Sequence, residues 1–307
     1  MNKKRIFALI ALLISLAYLY KSINLIELEL ALKTSSHEYL LVAFMLSVFT
    51  IILSSLRWYL FLREVQETSF RKTLRAFLSG YYLMTILPPS VGHIAKVKLV
   101  GGDYFKALSS LLIGLSTELV VVFLFALIFI GFLKIGILGL IIILVALIYE
   151  KGIYKALDSL LGFWEIFGLK GLVSTLRGYL ERIHKGWSGA KENKAIFLLS
   201  FLLSVVIILL QVYGIIVVGK AFNLEISMKQ ALYGFLMSVL FASVSGIPAG
   251  FGANEFGLVL GIGTSTKATV TAFIYKFLFQ YVYSILGAVL FYGALDEGGG
   301  YEGSTGQ

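Results

Sequence analysis

The sequence predicts an all-α integral membrane protein with about six full transmembrane helices and two opposed, broken re-entrant hairpins in an inverted repeat. Three observations predict it. Apolar residues make up 59% of the 307-residue chain and the mean hydropathy is +0.91, far above a soluble domain. Several apolar runs reach the ~20 residues that a helix needs to cross a hydrocarbon layer of ~30 Å. All three prolines sit inside apolar stretches, in two similar contexts. One reads Leu87-Pro88-Pro89-Ser90-Val91-Gly92-His93, and the other Ile247-Pro248-Ala249-Gly250-Phe251-Gly252-Ala253-Asn254-Glu255. Proline lacks the helical donor and glycine has backbone freedom, so both interrupt helices. Inside a bilayer an interrupted backbone is tolerated only where it lines a cavity or is buried in protein. A matched pair of breaks, one in each half of the chain, points to a transport site.

The elements follow in order. The run 6–23 comes after Lys3-Lys4-Arg5 and has no small-residue cleavage site behind it, so it reads as a retained first helix rather than a leader. Further full spans fall at about 38–56, 107–131, 135–149, 195–218 and 268–294. The apolar segments 73–100 and 230–263 are each cut near the middle by a proline motif. Their arms, about 11 to 18 residues long, are short for a span, which favours hairpins that enter and return. The alternative is eight ordinary spans, some of them broken. No polar run is long enough for a separate soluble domain, so residues 1–295 form one membrane domain with halves at about 38–131 and 195–294. The glycine-rich tail 296–307 is set apart from the fold.

Charge orients this layout. With the N-terminus in the cytoplasm, 19 of the 26 Lys and Arg lie inside, in 3–5, 57–75, 96–106 and 150–194. Six lie outside, namely Lys21, Lys33, Lys134, Lys220, Lys229 and Lys267, and Lys276 lies within a span. This asymmetry is the positive-inside pattern, and it places both termini of a multi-pass cell-membrane protein in the cytoplasm. Trp58, Trp164 and Trp187 then fall at the inner interface as an aromatic belt. Each half supplies a span, a broken hairpin and a span, in opposite senses, which is an inverted repeat whose breaks meet near the midplane. The connector 150–194 carries apolar residues at helical spacing (Leu157, Leu160, Leu161, Trp164, Leu172, Leu176, Leu180, Ile183) among Lys155, Lys170, Arg177, Arg182 and Lys185. It reads as one or two amphipathic helices on the inner leaflet, or as a plain connector.

Several residues are candidates for substrate binding. Glu118 stands near the middle of a span, where a charge costs ~2.5–3.5 kcal/mol on insertion scales, so it faces a cavity or a partner. Lys276 lies about eight residues into the last span, either snorkelling to the interface or pointing inward to an anion, and Gln280 shares its face one turn on. Gly250, Gly252 and Asn254 form a tight turn ahead of a short helix, with Glu255 in its first turn. A helix start of this kind suits phosphate, while Glu255 also serves simply to complement the dipole. His93, Lys96 and Lys98 follow the first break, as phosphate ligands at the inner surface or as ordinary inside charges. Arg57 begins the first inner loop beside Trp58, where an interfacial anchor is the simpler reading. With no cysteine there are no disulfides or thiolate metal sites, and no phosphate-binding P-loop is present. No cofactor and no nucleic-acid partner are expected.

At these residues the chain resembles the transmembrane domain of the lysylphosphatidylglycerol synthase/flippase proteins, over roughly residues 1–295. Arg57 corresponds to the Arg that closes an early span in that family. Leu87, Pro88, Gly92 and Lys96 follow its first loop, with Lys96 for the usual Arg and His93 at the acidic position. Glu118 matches the family's intramembrane Glu, but Leu119 and Val122 replace the Arg and Asp that accompany it. Pro248, Gly250, Gly252 and Glu255 follow the late loop, with Asn254 at a usually basic place, and Lys276 falls where the last span often carries Arg. The missing Arg and Asp leave Glu118 to find Lys276, Lys96, a proton or water. The resemblance implies lipid translocation, or handling of a polyprenyl-phosphate carrier. Family members with a soluble aminoacyl-transfer domain carry it after the membrane part. This chain stops before one, so the synthase reaction is not expected.

Three functions compete. A flippase would pass an anionic or zwitterionic headgroup between the two broken loops, Glu118 and Lys276, while the tails stay in the bilayer. An intramembrane lipid-phosphate transferase would want clustered carboxylates, but Asp103, Asp158 and Asp296 are far apart and none lies in a span, and His37, His93 and His184 make no ligand spacing. An ion-coupled small-solute transporter could use the same inverted repeat, with Glu118 as proton carrier.

Overall fold

A computed structural model describes residues 25–87, 89–127, 137, 138, 141, 142, 145, 148–165 and 170–299. The expected first span 6–23, Pro88 and positions 300–307 of the tail lie outside the described residues, as does most of 135–149. The side chains of His93 and Trp164 also lie outside them. All regular elements described are helical, with no strand among the described residues. They are α1 (Leu25–Lys33), α2 (His37–Val65), α3 (Phe70–Ile86), α4 (Pro89–Leu99), α5 (Tyr104–Phe125), α6 (Glu150–Glu165), α7 (Lys170–Lys191), α8 (Lys194–Ala221), α9 (Met228–Ser245), α10 (Ala253–Ile262), α11 (Thr266–Lys276) and α12 (Val282–Gly299).

Four stretches among the described residues are long and apolar enough to cross a bilayer: His37–Val65, Tyr104–Phe125, Lys194–Ala221 and Thr266–Gly293. The chain is an integral, multi-pass membrane protein. In the last stretch a π-helical turn, Phe277–Tyr281, joins α11 to α12. Three boundaries differ from expectation. The segment before residue 37 contains helix α1, which packs on α11. Helix α2 runs nine residues beyond the expected end of its span at 56, to Val65. Trp58, Leu60, Phe61 and Leu62 there are all buried, so packing carries the helix past its first charge. Helix α12 continues to Gly299, past the expected start of the tail.

The chain divides into two compact units. The first comprises residues 1–53, 74–99 and 207–307, and the second 54–73 and 100–206. In the first unit both proline-interrupted segments fold back on themselves as antiparallel helix pairs. A Cβ added at Gly92 would meet the Met84 backbone at 2.8 Å, and one at Gly80 the Lys96 side chain at 2.8 Å, so α4 lies along α3. In the second pair, a Cβ added at Gly257 would meet the Met237 backbone at 2.6 Å and one at Gly261 the Gly234 backbone, so α9 and α10 run in close backbone contact. Only residues without a side chain permit that approach. Helix α3 then rests on α12, where Gly287 meets the Leu78 carbonyl and the Tyr82 and Tyr292 hydroxyls hydrogen-bond at 2.7 Å.

In the second unit α7 packs against α5 and α6. The Ser109 hydroxyl donates to the Ile183 carbonyl at 2.9 Å, beside Gly186. Leu60, Phe61, Ile113 and Ile196 form its apolar centre. Trp58 belongs to this interior rather than to an interfacial belt. It is 2% exposed and donates its indole N–H to Ser110 at 3.1 Å.

The glycine contacts make a direct prediction. Gly257→Leu overpacks the α9–α10 crossing by ~1–3 kcal/mol, lowering the apparent melting temperature in detergent by several degrees. Gly178→Ala on α7, where a Cβ meets nothing within 4 Å, leaves it unchanged or slightly raised.

Candidate functional site

The break between α9 and α10 is built from backbone that ordinary residues avoid. Gly246 ends α9 in the left-handed conformation, with φ of 64°. Pro248–Gly250 form a single 3-10 turn in which Ala249, at φ 56°, is left-handed without being glycine. Gly250 and Gly252 follow at φ 65° and 79°. Such backbone persists only where its surroundings over-determine it. Three bonds do this. Glu255, in the first turn of α10, accepts the Gly252 N–H at 2.8 Å. The Tyr281 hydroxyl donates to its other oxygen at 2.5 Å. The Gln280 amide donates to the Ala249 carbonyl at 3.1 Å. Gln280 and Tyr281 both lie in the π-helical turn, which re-aims them from the regular helical face toward the break.

Lys276, at the end of α11, points inward and is 8% exposed. It does not snorkel. With the Asn254 amide oriented so that its oxygen faces the ammonium, that oxygen accepts from Lys276 Nζ at 2.5 Å. The amide nitrogen then donates to the Ser238 carbonyl at 3.3 Å and to its hydroxyl. Asn254 and Glu255 are both buried. Among the described residues no carboxylate lies within salt-bridge distance of Lys276; its hydrogen bond is to a neutral amide.

The first hairpin reaches the same place. Helix α4 packs against the Pro248–Gly250 turn. Lys96 on α4 is 2% exposed, with its stem against Gly80 and its ammonium 4.5 Å from the centre of the Phe77 ring. Lys96 is therefore a buried cation rather than a surface charge, whereas Lys98 is exposed. Gly92 is buried at the closest approach of α4 to α3. The first unit thus gathers Gly92, Pro248, Gly250, Gly252, Asn254, Glu255, Lys276 and Gln280 at or beside the ends of two helical hairpins, with Lys96 further along α4 against Gly80 and Phe77.

Arg57 and Glu118 belong to the second unit and to each other. Arg57 lies within α2, not in a loop, and its side chain is 6% exposed. Its guanidinium donates to Glu118 at 2.5 Å and to the Ser204 hydroxyl at 3.0 Å. Thr117 hydrogen-bonds Ser200 and Ser204, at 3.1 and 3.3 Å, and so closes a polar ladder across α2, α5 and α8. Glu118 finds its partner in Arg57, not in Lys276 or Lys96. The interfacial-anchor reading of Arg57 fails because a buried guanidinium needs a counter-charge, and α5 supplies one.

Sequence reasoning missed Tyr281, Ser238, Phe77 and the Ser/Thr ladder. Ser200 and Ser204 carried a signal, being polar at i and i+4 within an otherwise apolar run. Tyr281 carried none, since its link to Glu255 spans 26 residues. No grouping of three His, Asp or Glu side chains occurs among the described residues.

The model of the family described as the lysylphosphatidylglycerol synthase TM region matches residues 6–287 of the chain. No curated protein matches it.

The Arg57–Glu118 pair predicts a non-additive mutant cycle. Arg57→Ala alone destabilises by on the order of 2–4 kcal/mol by leaving a carboxylate without its partner. The double variant Arg57→Ala/Glu118→Gln loses about 1–3 kcal/mol less than the sum of the two singles, as read from unfolding in detergent.

Proposed function

The chain belongs to the lysylphosphatidylglycerol synthase TM region family, and we propose that it moves a lipid with an anionic or zwitterionic headgroup, a phospholipid or a polyprenyl phosphate, between the leaflets of the cytoplasmic membrane. The observation that carries this reading is the meeting of two helical hairpin ends around buried cations. Lys276 faces a neutral amide, and Lys96 an aromatic ring. A buried cation with a neutral oxygen as its hydrogen-bond partner is suited to receive a phosphate oxygen, because the charge is already desolvated and oriented.

In this reading the hairpins are re-entrant. Helices α4 and α10 have 11 and 10 residues, about 15–17 Å at helical rise, half of what a span needs. Each half of the chain contributes a long helix, a hairpin and a second long helix, in opposite senses, with both termini cytoplasmic. That arrangement is an inverted repeat with its breaks at the midplane. Gly92, the turn from Pro248 to Gly252, Asn254, Lys96, Lys276 and Gln280 line the headgroup path. Glu255 holds the turn in shape. Arg57 and Glu118 form a closed ion pair in the second unit. The lipid tails stay in the bilayer, so only the headgroup needs this polar route.

The test is flipping of a fluorescent phosphatidylglycerol in proteoliposomes, followed by quencher access. Lys276→Ala and Lys96→Ala are expected to slow flipping at least ~10-fold, the loss of one charge-assisted contact of ~1.4 kcal/mol or more. Tyr281→Phe is expected to slow it less. Wild-type rates in both lysine variants would sink the site assignment. Covalent product from a labelled lipid phosphate would show a transferase instead.

A further inference from the structure

The connector between the halves, the helix pair α6–α7, plays no part in that route, yet it carries the most unusual surface of the second unit. Leu160 and Phe163 on α6 are 59% and 54% exposed, and Leu157, Leu176 and Tyr179 are 40–46% exposed. Between the two helices runs a groove of about 350 Å³, lined by Leu157, Leu160, Leu176, Tyr179, Leu180 and Ile183, all apolar or aromatic. A second apolar hollow beside it is lined by Tyr154, His184 and Trp187, with Tyr154 stacked on His184 at 4.4 Å. The Arg177–Asp158 ion pair, at 2.6 Å, ties the two helices together, so the groove is preformed.

Three observations say what covers this face. Helix α7 ends at Lys191 and the membrane-spanning α8 begins at Lys194, so the pair is tethered at the end of a span. It also packs on the first turns of the spanning α5, through Ser109 to Ile183 and at Gly186. It is therefore anchored at the depth where a bilayer meets water. Charge is the third. Residues 150–191 hold seven Lys and Arg against four Asp and Glu; Lys151, Lys155, Arg182 and Lys185 are exposed, Lys185 being paired with Glu181 at 2.6 Å. A stripe of exposed leucine and aromatic residues with a basic surround is the pattern of a helix lying in an anionic lipid interface.

We propose that α6 and α7 form an interfacial platform that lies on an anionic phospholipid leaflet, with acyl chains filling the Leu157–Ile183 groove and lipid phosphates on the lysines and arginines around it. Basic side chains near such a surface are attracted within a Debye length, so the contact depends on anionic lipid and on salt. This inference is independent of which lipid, if any, the hairpins transport.

The chain has no cysteine, so single nitroxide labels can be placed on the full-length protein at Leu160→Cys, Phe163→Cys and, as a control on an exposed polar position, Ser174→Cys. Each labelled protein is reconstituted in phosphatidylcholine vesicles with and without phosphatidylglycerol. Accessibility to oxygen and to a water-soluble nickel chelate is then measured. At 160 and 163 the oxygen-to-nickel ratio is expected to exceed that at 174 by about fivefold or more, as for a buried interfacial face. The ratio is expected to fall when phosphatidylglycerol is omitted or salt is raised. Nickel access at 160 and 163 equal to that at 174 overturns the proposal. So does spin–spin broadening at 160 or 163, which would mean that a second copy of the chain covers the groove. A ratio indifferent to phosphatidylglycerol overturns its anionic part. All three labels sit on exposed side chains, so folding is preserved, as a monodisperse elution profile would verify.

Discussion

A buried peptide group without a hydrogen-bond partner costs about 1–3 kcal/mol, and the break between α9 and α10 is where this chain meets that constraint. Four residues there, Gly246, Ala249, Gly250 and Gly252, hold positive φ and therefore cannot satisfy their backbone as a helix would. The Glu255 carboxylate and the Gln280 amide take up two of those backbone groups. Because Glu255 is itself bound by Tyr281, the shape of the turn is tied to the π-helical turn of the last span. The same π turn lies directly after Lys276. Backbone satisfaction and the placement of the buried cation are thus one arrangement.

Glycine does comparable work along the hairpins. Gly257 and Gly261 let α10 lie in backbone contact with α9, and Gly80 and Gly92 let α4 lie against α3. Such close approach brings many atoms of the paired arms into dispersion contact. This is why the short arms, which have little independent stability, stand as pairs. It is also why the Lys96 stem can be buried: Gly80 leaves room for it, and Phe77 offers its ring face to the ammonium.

The second unit handles buried charge differently. Arg57 and Glu118 neutralise one another and are braced by Ser204, Thr117 and Ser200. Where family members use an Arg and an Asp close to the Glu in sequence, this chain has Leu119 and Val122, and the guanidinium comes instead from another helix. Two kinds of buried charge therefore coexist. One is a closed ion pair within its unit. The other is a buried lysine, Lys276, whose hydrogen bond is to the neutral amide of Asn254.

Much of this was legible in the sequence. Hydropathy and length fixed the helical membrane class, because a bilayer allows few ways to satisfy a backbone. Four of the expected spans are four long apolar helices of the structure. Proline and glycine marked both breaks, because their backbone constraints are local and survive any tertiary context. What the tertiary structure alone decided is which side chains meet. That Glu118 pairs with Arg57 across 61 residues, that Lys276 turns inward to Asn254, that Tyr281 holds Glu255, and that α2 continues through Arg57 all depend on neighbours supplied by distant segments. Periodicity reports which face of a helix is apolar; it carries no information about the partner that face will find, and for a buried charge the partner determines everything.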